Sequence, residues 1–266
     1  MKQLILKYIP PKLFVLLKGW GWSGNYKSWQ EAEKKSKGYN APNILECVKT
    51  ATLKVKNGEA IYERDSVLFD KIEYSWELLT ALLWVAAQKN GELNIIDFGG
   101  SLGSTYYQNK QFLDRLKKVR WNVVEQSDFA EVGKETFQNE VLHFYDTIKN
   151  CYKATSEIDV ILFSGVLQYL EYPYDTLKEA IEKNVKYIII DRTGFTLKKD
   201  RQNGDKITIQ KVPQHIYKAS YPCRFFNESR FVKFFNDNGY KLIVDFNALD
   251  KINYPSKYKG FVLERV

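Results

Sequence analysis

The chain has 266 residues, 44% hydrophobic and 27% charged, a balance that can bury one sizeable core and excludes a disordered or fibrous protein. Its formal net charge of +8 suits nucleic acid, an anionic membrane surface or an acidic glycan, but scattered lysines such as Lys34, Lys35, Lys37, Lys117 and Lys118 also read as ordinary solvated surface. Three distant cysteines, two histidines and no G-x-x-x-x-G-K-[ST] loop exclude a disulfide framework, a histidine-based metal cluster and a P-loop ATPase.

Residues 1–22 are basic, aromatic and apolar, but Pro10 and Pro11 interrupt the run and only residues 13–17 separate Lys12 from Lys18. That is far short of the ~20 apolar residues a membrane span needs. No small-residue cleavage site follows, so a signal peptide is not expected either. The segment is instead a candidate for peripheral contact with a membrane interface, with packing on the protein's own core or a second copy as the alternative. Residues 23–92 read as a helical cap, with helices expected at 28–37, 44–55 and 74–88. Between them, Tyr62-Glu63-Arg64-Asp65 has the alternating charge of a surface ion-pair set.

The most informative stretch follows, I-I-D-F-G-G-S-L-G-S-T-Y-Y-Q over residues 95–108. A short apolar strand ends in Asp97, turns through Gly99, Gly100, Ser101 and Gly103, and enters a helix. Glycines let a ligand approach the backbone, and the helix start presents free N–H groups and a positive dipole end. A helical segment is expected at 112–119, then a strand at 121–125 that ends in Glu125. In doubly wound sheets an acid about 20 residues beyond the turn accepts hydrogen bonds from ribose hydroxyls. A buried strand at 158–163 runs into Ser164-Gly165-Val166-Leu167-Gln168-Tyr169. An amphipathic helix at 174–183 leads to a fifth strand at 187–190 that ends in Asp191-Arg192. This alternation predicts an open, mostly parallel sheet with helices on both faces.

Residues 193–226 form a long stretch at the ligand-bearing edge of such a sheet, with an alternating strand at 207–210 and His215, and read as a lid-like insertion. A helix at 227–238, with Asn227 as N-cap and Gly239 as its stop, and strands at 240–246 and 260–265 close the chain.

Asp97, Gly99, Ser101 and Gly103 fall at alternate positions and resemble the acid-x-Gly-x-Gly-x-Gly signature of class I S-adenosylmethionine methyltransferases, with Ser101 in place of the middle glycine. The runs F-S-G-V-L-Q-Y-L, I-I-I-D-R-T, T-I-Q-K-V-P and Y-K-A-S-Y-P resemble a bacterial family of such methyltransferases associated with surface-polysaccharide and lipopolysaccharide gene sets. The resemblance implies a Rossmann-like α/β fold, a sheet whose antiparallel last strand inserts beside the fifth, and S-adenosylmethionine as cofactor. It also raises the expectation that Glu63, Arg64 or Asp65 reaches the cleft.

The implied roles follow residue by residue. Asp97, Gly99, Gly100, Ser101, Gly103, Glu125, Ser164 and Gly165 would bind the cofactor; Gln168, Tyr169 and Arg192 would contact the acceptor. A hydroxyl acceptor needs a base, for which His215 and Asp191 are the candidates. His143 reads as structural or near the adenine. The expected division is 1–92 as N-terminal segment and cap and 93–266 as the methyltransferase domain. The expected reaction is O-methylation of a sugar or glycan intermediate in the cytoplasm, with contact at the inner face of the membrane left open. No metal is expected, nucleic acid is disfavoured as a partner, and an oligomer stays open. A nucleic-acid methyltransferase and a non-catalytic scaffold are the rival readings. A dehydrogenase fits the glycine spacing poorly.

Overall fold

A computed structural model describes residues 10–38, 42–155, 157–197, 204–250 and 252–266. Residues 1–9 of the basic N-terminal segment and 198–203 of the expected lid lie outside the described residues.

Seven strands form one sheet: β4 (Glu92–Phe98), β5 (Lys118–Val124), β6 (Leu142–Tyr145), β7 (Val160–Ser164), β8 (Tyr187–Thr196), β11 (Tyr240–Asn247) and β12 (Ser256–Arg265). Their spatial order is β11-β12-β8-β7-β4-β5-β6. The pairs β4·β5, β4·β7, β5·β6 and β7·β8 are parallel, whereas β12 is antiparallel to both β8 and β11. This is the open, mostly parallel, Rossmann-like α/β sheet expected, with its last strand inserted antiparallel beside β8. The strand order reverses between β4 and β7, which opens a crevice at the carboxyl ends of those strands.

Alternation along the strands sends side chains to two cores. Leu93 and Ile95 of β4 face one cluster with Leu78, Leu82 and Val85 of helix α4 (Trp76–Gln88) and Tyr106 of α5 (Ser104–Leu113). Ile96 faces the other with Leu177 of α8 (Pro173–Glu182) and Phe231 and Phe235 of α9 (Glu228–Asp237). Helices therefore cover both faces. Short polar caps set their starts: Ser75 accepts from Leu78 N at α4, and Asn227 accepts from Arg230 N at α9. The helix expected at 112–119 is displaced: α5 already begins at Ser104 and ends at Leu113, because β5 starts at Lys118.

The N-terminal part contributes α1 (Pro11–Lys18), β1 (Gly21–Tyr26), α2 (Trp29–Lys34), α3 (Pro42–Lys56) and a hairpin of β2 (Tyr62–Arg64) and β3 (Val67–Phe69). Strand β1 pairs antiparallel with β9 (Lys206–Lys211), which pairs antiparallel with β10 (Ser220–Phe225). The start of the chain is thus tied to the segment inserted after β8. Among the described residues no helix is long and apolar enough to cross a membrane.

Candidate functional site

The turn after β4 has a specific backbone. Gly99 (φ +71°), Ser101 (φ +55°) and Gly103 (φ +96°) alternate in the left-handed region. That region costs an L-residue about 1 kcal/mol, a cost borne here by Ser101. Close approach adds a second demand. A Cβ on Gly99 would lie 2.4 Å from Val166 Cγ2, and one on Gly100 would lie 2.5 Å from Asp97 Oδ2. Helix α5 then starts at Gly103 with no side-chain cap.

Asp97 lies buried beneath this turn. Its Oδ2 accepts the Trp121 indole N–H at 3.0 Å, and its Oδ1 has no partner among the described residues. Burial pushes its pKa up to about 7, against the lowering effect of the Trp121 hydrogen bond. Glu125 follows β5, half-buried. Its carboxylate accepts from Gln126 N at 2.7 Å and also faces the Ser101 N–H. Burial raises its pKa despite both donors. The two halves of the predicted cofactor signature therefore meet.

On the neighbouring strands, Ser164 Oγ donates to Asp191 Oδ2 at 3.3 Å, and Gly165 N donates to Asp191 O at 3.0 Å. Asp191 is 1% exposed and its Oδ1 has no partner among the described residues. Burial lifts its pKa to about 6, with Arg192 opposing the rise. Gln168 is buried, donates Nε2–H to Arg192 O at 3.0 Å and leaves Oε1 without a partner among the described residues. Tyr169 instead donates its hydroxyl to Gln210 of β9 at 2.7 Å, tying this loop to the small sheet.

The charged run of the β2–β3 hairpin does reach the crevice. Glu63, 2% exposed, accepts from the Ser104 hydroxyl at the start of α5 and from Ser66 N at 3.3 Å. Burial raises its pKa to about 7. Arg192, with φ +48°, places its guanidinium between Asp250, at 3.1 Å from Nε to Oδ2, and Asp65, at 3.0 Å from Nη2 to Oδ2. Together Tyr62, Arg64, Ser75, Ser104, Thr105, Gln108, Ser164, Asp191, Arg192 and Leu249 line one pocket. Arg64 is itself 3.5 Å from Glu73.

The remaining candidates lie elsewhere. His215 is exposed in the turn between β9 and β10 and is not among the pocket-lining residues. His143 lies in β6, where burial, reinforced by the Arg120 charge, lowers its pKa. Sequence reasoning missed Trp121, Asp250 and Ser104. Trp121 reads as a core tryptophan, and its bond to Asp97 appears only once β5 pairs with β4 in the register Ile95↔Trp121. Asp250 carries no local signal.

No family model and no curated protein matches the chain. Among solved structures it is similar to the N-terminal domain of EvdMO1 in the presence of SAH and D-fucose (14% identity, 82% of this chain and 96% of that one, TM-score 0.46). It is also similar to magnesium protoporphyrin IX methyltransferase from Synechocystis PCC 6803 with bound SAM (11%, 86% and 100%, TM-score 0.47). A third is the 1,6-didemethyltoxoflavin-N1-methyltransferase of Burkholderia thailandensis (12%, 86% and 92%, TM-score 0.45). At these identities the likeness is one of fold alone.

Proposed function

We propose that this chain is an S-adenosylmethionine-dependent methyltransferase that O-methylates a sugar or sugar-derived intermediate of surface polysaccharide, in the cytoplasm at the inner face of the membrane. The observation that carries the reading is the meeting of Ser101 and Glu125: an alternately left-handed turn after β4 faces an acid after β5, at the switch point of this sheet. The residues present fit such a cofactor. The turn from Gly99 to Gly103 lets a ligand approach the backbone, Glu125 suits ribose hydroxyls, Ser164 and Gly165 close the other side, and Asp97 supports the turn from below.

Bound there, S-adenosylmethionine supplies a methyl group activated by its sulfonium charge. The chain's own task is to align a nucleophile and take its proton. Asp191 is the base this geometry favours. It lines the pocket, its Oδ1 is unpaired among the described residues, and a pKa of about 6 leaves it ionised at neutral pH yet more basic than an ordinary aspartate. His215 is the second candidate and reaches the pocket only if the β9–β10 turn moves. Gln168 and Arg192 would border the acceptor. With Arg192 held by two carboxylates, a neutral hydroxyl fits better than an anionic group. The nucleic-acid reading draws on the net charge of +8, but the segment after β7 reads Ser164-Gly165-Val166-Leu167 and the pocket arginines are already paired. Steeply salt-dependent polynucleotide binding would favour it.

Calorimetric titration with S-adenosylmethionine and S-adenosylhomocysteine, with NADH as control, tests the reading. Micromolar binding to both, weakened in Glu125→Ala and absent for NADH, is expected. Failure of the wild-type chain to bind either one overturns it in favour of a non-catalytic scaffold.

A further inference from the structure

Helix α1 turns its apolar side outward. Phe14 packs inward, edge-on to Trp20 with ring centroids 5.2 Å apart. Leu13 (44% exposed), Leu16 (79%) and Leu17 (65%) recur at the i, i+3, i+4 spacing that makes one helical stripe, and Trp20 (37%), just past the left-handed stop at Gly19, is also exposed. Single exposed leucines need no explanation, but a contiguous stripe of this kind does.

The charge around the stripe identifies its partner. Lys12 and Lys18 bracket it, and the first 30 residues contain Lys2, Lys7, Lys12, Lys18 and Lys27 with no acidic residue before Glu31. A row of exposed leucines with an exposed tryptophan just beyond the helix, and with Lys12 and Lys18 exposed beside them, suits insertion to the depth of an anionic interface. An acid-free segment does not suit a protein groove that needs both signs of charge.

The helix is also wired to the pocket mouth. Trp22, at the start of β1, is held on both backbone groups by the Asn253 side chain: Asn253 Oδ1 accepts from Trp22 N at 2.9 Å, and Asn253 Nδ2 donates to Trp22 O at 3.1 Å. Gly21 is confined to glycine there, since a Cβ would lie 2.7 Å from Asn253 Oδ1. Tyr254 donates to Gly24 O at 3.3 Å. The same β11–β12 loop supplies Asp250, which holds Arg192, and Leu249, which lines the pocket.

We propose that α1 is an interfacial anchor that binds anionic lipid through Leu13, Leu16, Leu17 and Trp20 and seats the pocket mouth against the bilayer. The inference deepens the membrane-face part of the proposed function and does not depend on the cofactor. It can be tested by flotation of the full chain with vesicles of phosphatidylglycerol and phosphatidylcholine, or of phosphatidylcholine alone. Binding to the anionic vesicles is expected, at least tenfold weaker in Leu16→Ser/Leu17→Ser, and reduced by salt and in Lys12→Ala/Lys18→Ala. These side chains are exposed, so the variants should keep the wild-type melting temperature. A blue shift of tryptophan emission on binding, diminished in Trp20→Phe, gives an independent readout. Absence of binding to anionic vesicles overturns the proposal. So does binding unchanged in the leucine variant, or a lipid-free dimer that the leucine variant dissolves, which would make the stripe a contact between copies. Cofactor titration is unaffected by any of these results, so the two readings fail separately.

Discussion

Trp121 donates its indole N–H to Asp97 Oδ2 at 3.0 Å, so a residue of β5 sets the carboxyl that underlies the turn after β4. With Oδ1 lacking a partner among the described residues, this bond is the main satisfaction the buried carboxyl has. Trp121→Phe keeps most of the volume and removes the donor. A loss of ~1–3 kcal/mol in urea unfolding is expected, together with weaker binding of S-adenosylhomocysteine. Unchanged stability would mean that the bond contributes little.

Gly99 is a sharper test of the turn. Alanine there meets Val166 Cγ2 at 2.4 Å and a backbone at φ +71°. Gly99→Ala should destabilise by about 2–4 kcal/mol, combining overpacking with left-handed strain. The double variant Gly99→Ala/Val166→Ala should recover the overpacking part and leave the strain, as read by the same unfolding curves.

Glu63 supplies a pH signature. Its pKa rises from 4.5 to about 7 on folding, chiefly through burial. A raised carboxyl binds more protons folded than unfolded, so its contribution is fully present below about pH 4.5 and is lost as pH rises through about 7. Between pH 5 and 8 this amounts to ~2–3 kcal/mol. Asp97 and Asp191, both raised, act in the same direction. Glu63→Gln should flatten this part of the stability profile, measured by denaturant titration at both pH values. An unaltered profile would show that Glu63 is not the titrating group.

The two carboxylates on Arg192 should not be equal. Asp250 is 19% exposed and Asp65 is 67% exposed. Burial alone would raise the Asp250 pKa, yet the Arg192 guanidinium overrides it and holds the carboxyl below its ordinary range. Asp250→Asn should therefore cost about 2–4 kcal/mol, whereas Asp65→Asn should cost roughly 0–1 kcal/mol. Equal costs in thermal unfolding would contradict this ranking.

For the proposed chemistry, Asp191→Asn should lower kcat by ~10²–10⁴ while leaving S-adenosylhomocysteine binding within about threefold of wild type. The wild-type rate should rise with pH through about 6, as the carboxyl loses its proton. If His215→Ala produces the larger loss, the base is the histidine of the β9–β10 turn.

Local chemistry along the chain was enough to read the strands of the central sheet and the helices at 173–182 and 228–237, but not the helix that follows the glycine turn, which begins at Ser104 rather than Phe112. It also located the acid-and-glycine turn, Glu125, the Asn227 cap and the antiparallel closing pair, because each is written in short-range patterns: apolar period, turn residues and cap residues. Folding supplied what depends on distant pairing. Strand register brought Trp121 under Asp97, and β1 joined β9 across more than half the chain. The β2–β3 hairpin carried Glu63 onto α5, and the β11–β12 loop delivered Asp250 to Arg192. It also left His215 at an exposed turn, away from the pocket that its place in the sequence suggested. Such contacts have no local code, since a polar side chain's partner is chosen by which elements pack side by side, and only the closed core sets that.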